Sequence, residues 1–138
     1  MKQLFFSLCI TLIATFLLGC HEEITYTYLM QHPRQLQTIL DECQLQTTSY
    51  CDEVHRAAKN FAAFVNERAE NPELFGQKIM RVQQQLVLLS RNYLQAMHDG
   101  NAEKIQAAKQ AYHAQKNQLK ILYAVIVDTS QRVLGGEG

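Results

Sequence analysis

The chain has no tryptophan, only two prolines among its 138 residues and no excess of charge, since 13 basic side chains balance 13 acidic ones. A clustered basic surface, which nucleic-acid binding requires, is therefore not indicated. Glycine-rich phosphate loops, serine nucleophile motifs and histidine–glutamate metal helices are also missing. These absences predict no enzyme, no cofactor, no metal site and no small-molecule substrate. Glutamine is frequent, which is typical of a helix-rich chain with polar surfaces.

An apolar run from Leu4 to Leu18 follows Lys2 at the amino terminus. The run is too short for a spanning helix, which needs about 20 residues, but suits the apolar part of a signal peptide. Its end, Leu17-Leu18-Gly19-Cys20, resembles the lipobox of bacterial lipoproteins. The resemblance implies acylation of Cys20, removal of residues 1–19 as a signal peptide, and anchoring of the remainder to a membrane by lipid.

The residue after the cysteine bears on which membrane receives the protein. In many enteric bacteria an aspartate there favours retention in the inner membrane, and this chain has His21 instead. The outer membrane is therefore favoured, with the protein in the cell envelope and facing the periplasm. Two or three acyl chains anchor firmly, because each buried methylene contributes about 0.8 kcal/mol. An ordinary transmembrane helix or an uncleaved signal anchor is the alternative interpretation.

Removal of the signal peptide and acylation of Cys20 determine which cysteines remain to form a disulfide. Cys9 is removed and Cys20 carries lipid, so Cys43 and Cys51 remain as a pair in an oxidising compartment, where disulfides persist. We expect a structural disulfide worth about 2.5 kcal/mol in the chain-entropy model. Two alternatives use His55, which shares a helix face with Cys51. One is a thiolate–imidazole pair and the other, with Cys43, a zinc site, although neither has a recognisable spacing motif.

Helix signals divide the rest of the chain. Residues 20–31 are predicted to be a lipidated, extended tether, residues 32–134 a helical domain and residues 135–138 a flexible tail. One helix is predicted from Pro33, a favoured first helical residue, to about Gln44. A second is predicted to run to about Glu70, with Thr47, Thr48 and Ser49 as possible N-caps, of which Ser49 with Asp52 three residues later resembles a capping box.

Residues 72–134 are predicted to form a helical hairpin. Asn71-Pro72 is a cap and first-turn signal, and Asp99-Gly100-Asn101 supplies a left-handed stop and the next cap. Both helices carry residues at alternating spacings of three and four, the seam of a coiled coil: Phe75, Ile79, Val82, Leu86, Leu89 and Tyr93, then Ile105, Ala108, Tyr112, Gln115, Leu119, Leu122 and Ile126. The polar Gln115 is interpreted as a register device.

The predicted fold class is therefore all-α. Residues 32–70 supply a small bundle stapled by the disulfide, and residues 72–134 supply a long antiparallel coiled-coil-like hairpin. The first helix of the hairpin, from Pro72 to His98, is predicted to span roughly 40 Å, at about 1.5 Å per residue.

One stretch of the chain resembles a known family, the entry-exclusion (EexN) lipoproteins of conjugative elements. The residues that carry the resemblance are Tyr28-Leu29-Met30-Gln31-His32-Pro33, Leu36, Leu40, Asp41-Glu42-Cys43 and Cys51. The similarity covers residues 20–58, departs from the family pattern at Asp52-Glu53-Val54, and leaves the hairpin as an extension. It implies that Tyr28, His32 and Pro33 are the motif residues.

The resemblance also implies a function and a partner. Members hinder the uptake of a second copy of the same conjugative element, and they act by contact rather than by chemistry. The implied partner is a protein of a conjugation or type IV secretion apparatus. A pilotin-like lipoprotein that assembles or scaffolds a secretion system is the alternative.

Overall fold

A computed structural model describes residues 24–45 and 48–135. It contains five helices: α1 (Tyr26–Gln31), α2 (Pro33–Leu45), α3 (Cys51–Glu70), α4 (Pro72–Asp99) and α5 (Ala102–Gly135). No strand occurs within these two ranges, and the all-α prediction is confirmed. The predicted signal peptide, Cys20 and tail residues 136–138 lie outside the described residues.

The prediction of an extended tether is wrong for residues 26–31, which form α1. Thr25 caps this helix, because its Oγ1 accepts a hydrogen bond from the Tyr28 N–H at 3.2 Å. Leu29 and Met30 are completely buried. A six-residue helix is too short to persist alone, so contacts with α3 and α5 must hold it in place.

Tyr26 fixes the start of α1 on α3. Its backbone N–H donates to Glu53 Oε1 at 3.1 Å, and its hydroxyl accepts from Asn60 Nδ2 at 2.8 Å. The Arg56 guanidinium lies 4.7 Å from the centre of the Tyr26 ring, a cation–π contact. These polar contacts explain why the tyrosine- and threonine-containing segment folds back on the bundle.

The predicted disulfide joins the end of α2 to the start of α3. Cys43 and Cys51 are paired with their Cα atoms 5.6 Å apart, and both side chains are buried. The predicted cap at Ser49 is wrong, because α3 begins at Cys51 and Tyr50 occupies the N-cap position. The Thr48 carbonyl accepts from the Cys51 N–H at 3.1 Å. The first turn of α3 thus begins at the bridged cysteine, one residue later than the capping-box pattern indicates.

The hairpin prediction is confirmed. Asn71 Oδ1 accepts from the N–H of Leu74 at 3.0 Å and caps α4. Gly100 ends α4 in the left-handed region, at a φ of 69°. Asn101 Oδ1 then accepts from the Lys104 N–H at 3.0 Å, which starts α5 after a two-residue turn.

All five helices contribute to one hydrophobic core. Its buried members are Leu29, Met30, Leu36, Cys43, Cys51, Val54, Ala57, Phe61, Phe75, Ile79, Val82, Leu122 and Val125. α3 lies against the hairpin, where Lys78 Nζ of α4 is 2.6 Å from Glu67 Oε2. On α4 the core ends at Val82, and on α5 the side chains packed against it begin at Leu119.

Residues 83–118 therefore extend beyond the shared core as a pair of helices, which we call the arm. At about 1.5 Å per residue, residues 83–99 extend it by about 25 Å. Ala96 is its one buried side chain. The rings of Tyr93 and Tyr112 stack across the pair with centroids 6.3 Å apart. Gln115 lies half-buried in the seam and donates to Gln85 Oε1 at 2.7 Å, which fits a polar contact that sets register.

Candidate functional site

Two of the motif residues predicted from the sequence contact each other on the surface. The rings of Tyr28 and His32 are stacked, with centroids 4.2 Å apart and planes inclined by 28°. His32 Nδ1 lies 2.8 Å from the Tyr28 carbonyl oxygen. Since a carbonyl only accepts, Nδ1 carries the proton and the ring orientation is fixed. The Tyr28 hydroxyl in turn donates to Gln35 Oε1 of α2.

Pro33 makes the corner between α1 and α2. It is the first residue of α2, and its fixed φ suits that position. His32 has φ of −127° and ψ of 70°, outside the helical region, as expected for the residue before a proline. The His32 carbonyl accepts from the Leu36 N–H at 2.9 Å, so α2 starts on the same residue at which α1 ends.

The corner rests against α5 of the hairpin. Gln31 Nε2 donates to Asn117 Oδ1 at 3.3 Å. Beside this contact an open groove of about 440 Å³ is lined by Gln31, His32 and Pro33 on one side and by Lys120, Tyr123, Ala124 and Val127 on the other. Tyr123 and Val127 are 42% and 55% exposed, which leaves an aromatic and an aliphatic side chain open beside the imidazole.

We call this surface the corner groove. The three motif residues come from six consecutive positions, 28–33, and the structure places them around one corner. The α5 residues opposite, Lys120, Tyr123 and Val127, were not singled out from the sequence. Their contribution depends on how the hairpin is placed against α1, about 90 positions away in the chain.

The second predicted site, at the cysteines, is occupied by the disulfide. Cys43 and Cys51 use both sulfur atoms in the bond, so neither thiolate alternative has a free sulfur to act through. His55 is exposed on α3. The Thr48 hydroxyl lies 3.0 Å from Cys51 Sγ and helps to cover the bridge. Across residues 24–45 and 48–135, no three histidine, cysteine or acidic side chains are grouped as metal ligands.

The predicted lipidation site, Cys20, lies outside the described part of the chain. Within the described part, no helix combines the length and the apolar character needed to cross a bilayer. Comparison with known proteins gave no match to a family model, to a curated protein or to a solved structure. The resemblance to entry-exclusion lipoproteins therefore stays a prediction from the residues quoted above.

Proposed function

We propose that this chain is a lipid-anchored protein of the bacterial cell envelope that acts by protein contact, without catalysis, in exclusion of redundant conjugative transfer. The observation that supports the proposal is the corner groove. His32 and Pro33 of the family-like motif line this groove, and Tyr28, the third motif residue, stacks on His32. A motif that served only the core would not be expected to present its histidine to solvent.

The corner groove has the composition of a protein contact site. Its lining combines an exposed tyrosine and an exposed valine with His32, Gln31 and Lys120. Aromatic side chains are enriched at protein interfaces, where polar side chains accompany them. Because the groove is open along its length, a helix or loop of a secretion-apparatus protein fits it better than a small molecule does.

The proposed lipid on Cys20 holds this contact site close to the membrane. Only three residues separate Cys20 from Ile24, where the described structure begins. Anchored in the outer membrane and facing the periplasm, the groove stays at the membrane surface, where a mating or secretion apparatus is assembled. Binding there blocks a productive junction without any chemical step.

A mating experiment tests the proposal. Recipient cells that carry the element receive a marked second copy, and the receipt frequency is compared between wild-type recipients and a deletion strain. We expect deletion to raise the frequency, and recipients with His32→Ala or Tyr123→Ala to behave like the deletion strain. Truncation of a hot-spot contact residue costs about 2 kcal/mol of binding, about 30-fold in affinity.

His55→Ala is the matched control, because His55 is also an exposed histidine but lies on α3 outside the groove. It should leave receipt as low as in wild type. Immunoblotting must show equal amounts of each variant in the envelope. An unchanged receipt frequency in the deletion strain contradicts the proposal.

The arm favours a second candidate, a pilotin-like scaffold of a type IV secretion system. Two helices that project about 25 Å from a core can bridge neighbouring components of an assembly. Here the deletion is made in the donor. Loss of donation or secretion supports the scaffold, whereas normal donation with raised receipt supports exclusion.

A further inference from the structure

One hydrogen bond identifies an open side of the hairpin. Gln83 Nε2 of α4 donates to the Tyr123 hydroxyl of α5 at 2.6 Å, and both side chains are exposed. Residues three or four positions apart share one side of a helix. The row through Gln83 therefore contains Met80, Val87 and Leu94, and the row through Tyr123 contains Lys109, Lys116, Lys120 and Val127. We call these two rows the open face.

The open face lies away from α3. Lys78, which pairs with Glu67 of α3, is five positions before Gln83 and so about 140° around α4 from it. α3 thus packs on the other side of the hairpin, beside the core residues of α4 up to Val82. The apolar members of the open face remain exposed: Met80 is 54%, Val87 52%, Leu94 58%, Tyr123 42% and Val127 55% exposed. Five such large apolar side chains on one side of the hairpin stay open to solvent.

Charge is segregated between the helices. Residues 74–98 and 104–127 contain no acidic side chain, and every charged residue in them is lysine or arginine. The acidic residues of the hairpin lie at its ends, at 73, 99, 103 and 128. α2 and α3, by contrast, carry six acids (Asp41, Glu42, Asp52, Glu53, Glu67 and Glu70) against four basic residues (Arg34, Arg56, Lys59 and Arg68). The hairpin is therefore the cationic part of the chain, and α2 and α3 together have a small net negative charge.

Within the open face, the lysines run beside the apolar row. Lys109, Lys116 and Lys120 follow α5 at spacings of seven and four, while Val87 and Leu94 follow α4 at a spacing of seven. Lys116 Nζ lies 5.8 Å from the centre of the Tyr112 ring, so its stem lies along the helix with the amine at the surface. Long lysine stems with terminal charges, next to valine, leucine and tyrosine, are the side chains that suit a headgroup interface.

We propose that the open face binds the surface of a bilayer that contains anionic phospholipid. The two rows run side by side on neighbouring helices, and Lys120, Tyr123 and Val127 of the second row also line the corner groove. The lysines then contact lipid phosphates, and the apolar row reaches the boundary of the acyl chains. The acidic α2 and α3 face away from the membrane, since like charge repels them from an anionic surface.

The distance to the membrane supports this arrangement and rests on the proposed lipid at Cys20. An extended chain covers about 3.5 Å per residue, so Ile24 begins within about 14 Å of Cys20. The bundle is then held where the open face can meet the headgroups. The charge and exposure of the open face do not depend on that anchor.

A tryptophan reporter tests the proposal, because the full chain contains none. The full-length protein carries Leu94→Trp on the open face. It is reconstituted in vesicles of brominated phosphatidylcholine, with or without about 30 mol % of the anionic lipid phosphatidylglycerol. We expect bromine quenching and a blue shift of the emission only when phosphatidylglycerol is present. High salt should reverse both, since it screens the lysines. Ala63→Trp, at an exposed position on α3, is the matched control and should stay unquenched.

Charge variants measure the lysine contribution. Lys116→Gln with Lys120→Gln removes two open-face charges, whereas Lys59→Gln with Lys104→Gln removes two from outside it. At about fivefold per lysine, the first pair should lower the ratio of docked to undocked protein by about 25-fold and the second pair should leave it unchanged. Circular dichroism confirms that both pairs stay folded.

Two results overturn the proposal: no quenching at position 94 with phosphatidylglycerol, or equal quenching at positions 94 and 63. Either result indicates that the open face binds an acidic protein instead. The intact mass of the purified protein reports acylation of Cys20 separately. An unmodified Cys20 defeats the anchor proposal alone, because the reporter signal requires only contact with vesicles.

Discussion

Leu29→Ala tests whether α1 is part of the folded bundle or a tether that merely touches it. Leu29 is completely buried in the core. Truncating a leucine at such a site costs about 3 kcal/mol, from lost transfer energy and the cavity that remains. With a urea slope of about 1.5 kcal/mol per M, typical of a small domain, the unfolding midpoint should fall by about 2 M. Far-ultraviolet circular dichroism of residues 20–138 with Cys20→Ser measures it.

The control makes the same chemical change at an exposed site. Leu74, in the first turn of α4, is 53% exposed, so Leu74→Ala should change the free energy of unfolding by less than about 0.5 kcal/mol. Leu29→Ala with an effect as small as that of Leu74→Ala would refute the packing of α1.

A double variant refines the test. Met30 is also completely buried on α1. A helix of six residues lacks the internal stability to stay formed once it is released. If Leu29→Ala releases the whole helix, adding Met30→Ala should cost less than about 1 kcal/mol more, a strongly non-additive pair. Full additivity would show instead that α1 stays docked and that two separate cavities form.

Further predictions concern the bridge and the helix ends. Cys43→Ser with Cys51→Ser should lower the free energy of unfolding by about 2.5 kcal/mol, because the bridge closes a short loop, and urea titration with and without reductant checks this. Asn71→Ala should cost about 1 kcal/mol in the same assay by removing the cap of α4, and Asn71→Asp should restore it. Gly100→Ala should destabilise by about 1 kcal/mol, because its φ of 69° strains an alanine. Gly76→Ala, inside α4 with nothing within 4 Å of an added Cβ, should stabilise by about 0.5–1 kcal/mol. Thermal melts that give the two glycines the same sign would contradict the assigned end of α4.

The hairpin could be predicted from the sequence because its signals are local. Asn71 and Asn101 each cap the helix that directly follows, and Gly100 supplies the positive φ between them. The alternating spacing of three and four also places Phe75 and Leu122 inward, where the structure has them. None of these inferences requires knowledge of a distant partner.

Two predictions from the sequence are wrong because the interaction that decides each of them is not local. Residues 24–28 alternate isoleucine or tyrosine with threonine, a pattern typical of extended chain, but burial of Leu29 and Met30 against other helices outweighs it. At Ser49 the capping-box pattern gives way to the geometry that the bond between Cys43 and Cys51 imposes. Propensity is a weak guide where tertiary contacts or a covalent bond compete with it.

Only part of the candidate site could be predicted from the sequence, for the same reason. The motif residues Tyr28, His32 and Pro33 are near neighbours in sequence, so their contact follows from one short turn. Tyr123 joins them only through the packing of α5 on α1. The basic open face had a sequence signal, the lack of acids over residues 74–98 and 104–127, but only the bond between Gln83 and Tyr123 shows which side of the hairpin is open.

The arm gives the molecule two regions with different rates of local opening. Residues 83–118 lie beyond the shared core and have Ala96 as their one fully buried side chain, so opening them requires less free energy than opening the core around Phe75 and Leu122. Amide hydrogens in the arm should therefore exchange with solvent long before those of the core. Whatever covers the arm must also order it, which links binding to local folding in one equilibrium. Slowed exchange in the arm would then report occupancy directly, even where the identity of the bound surface is not yet known.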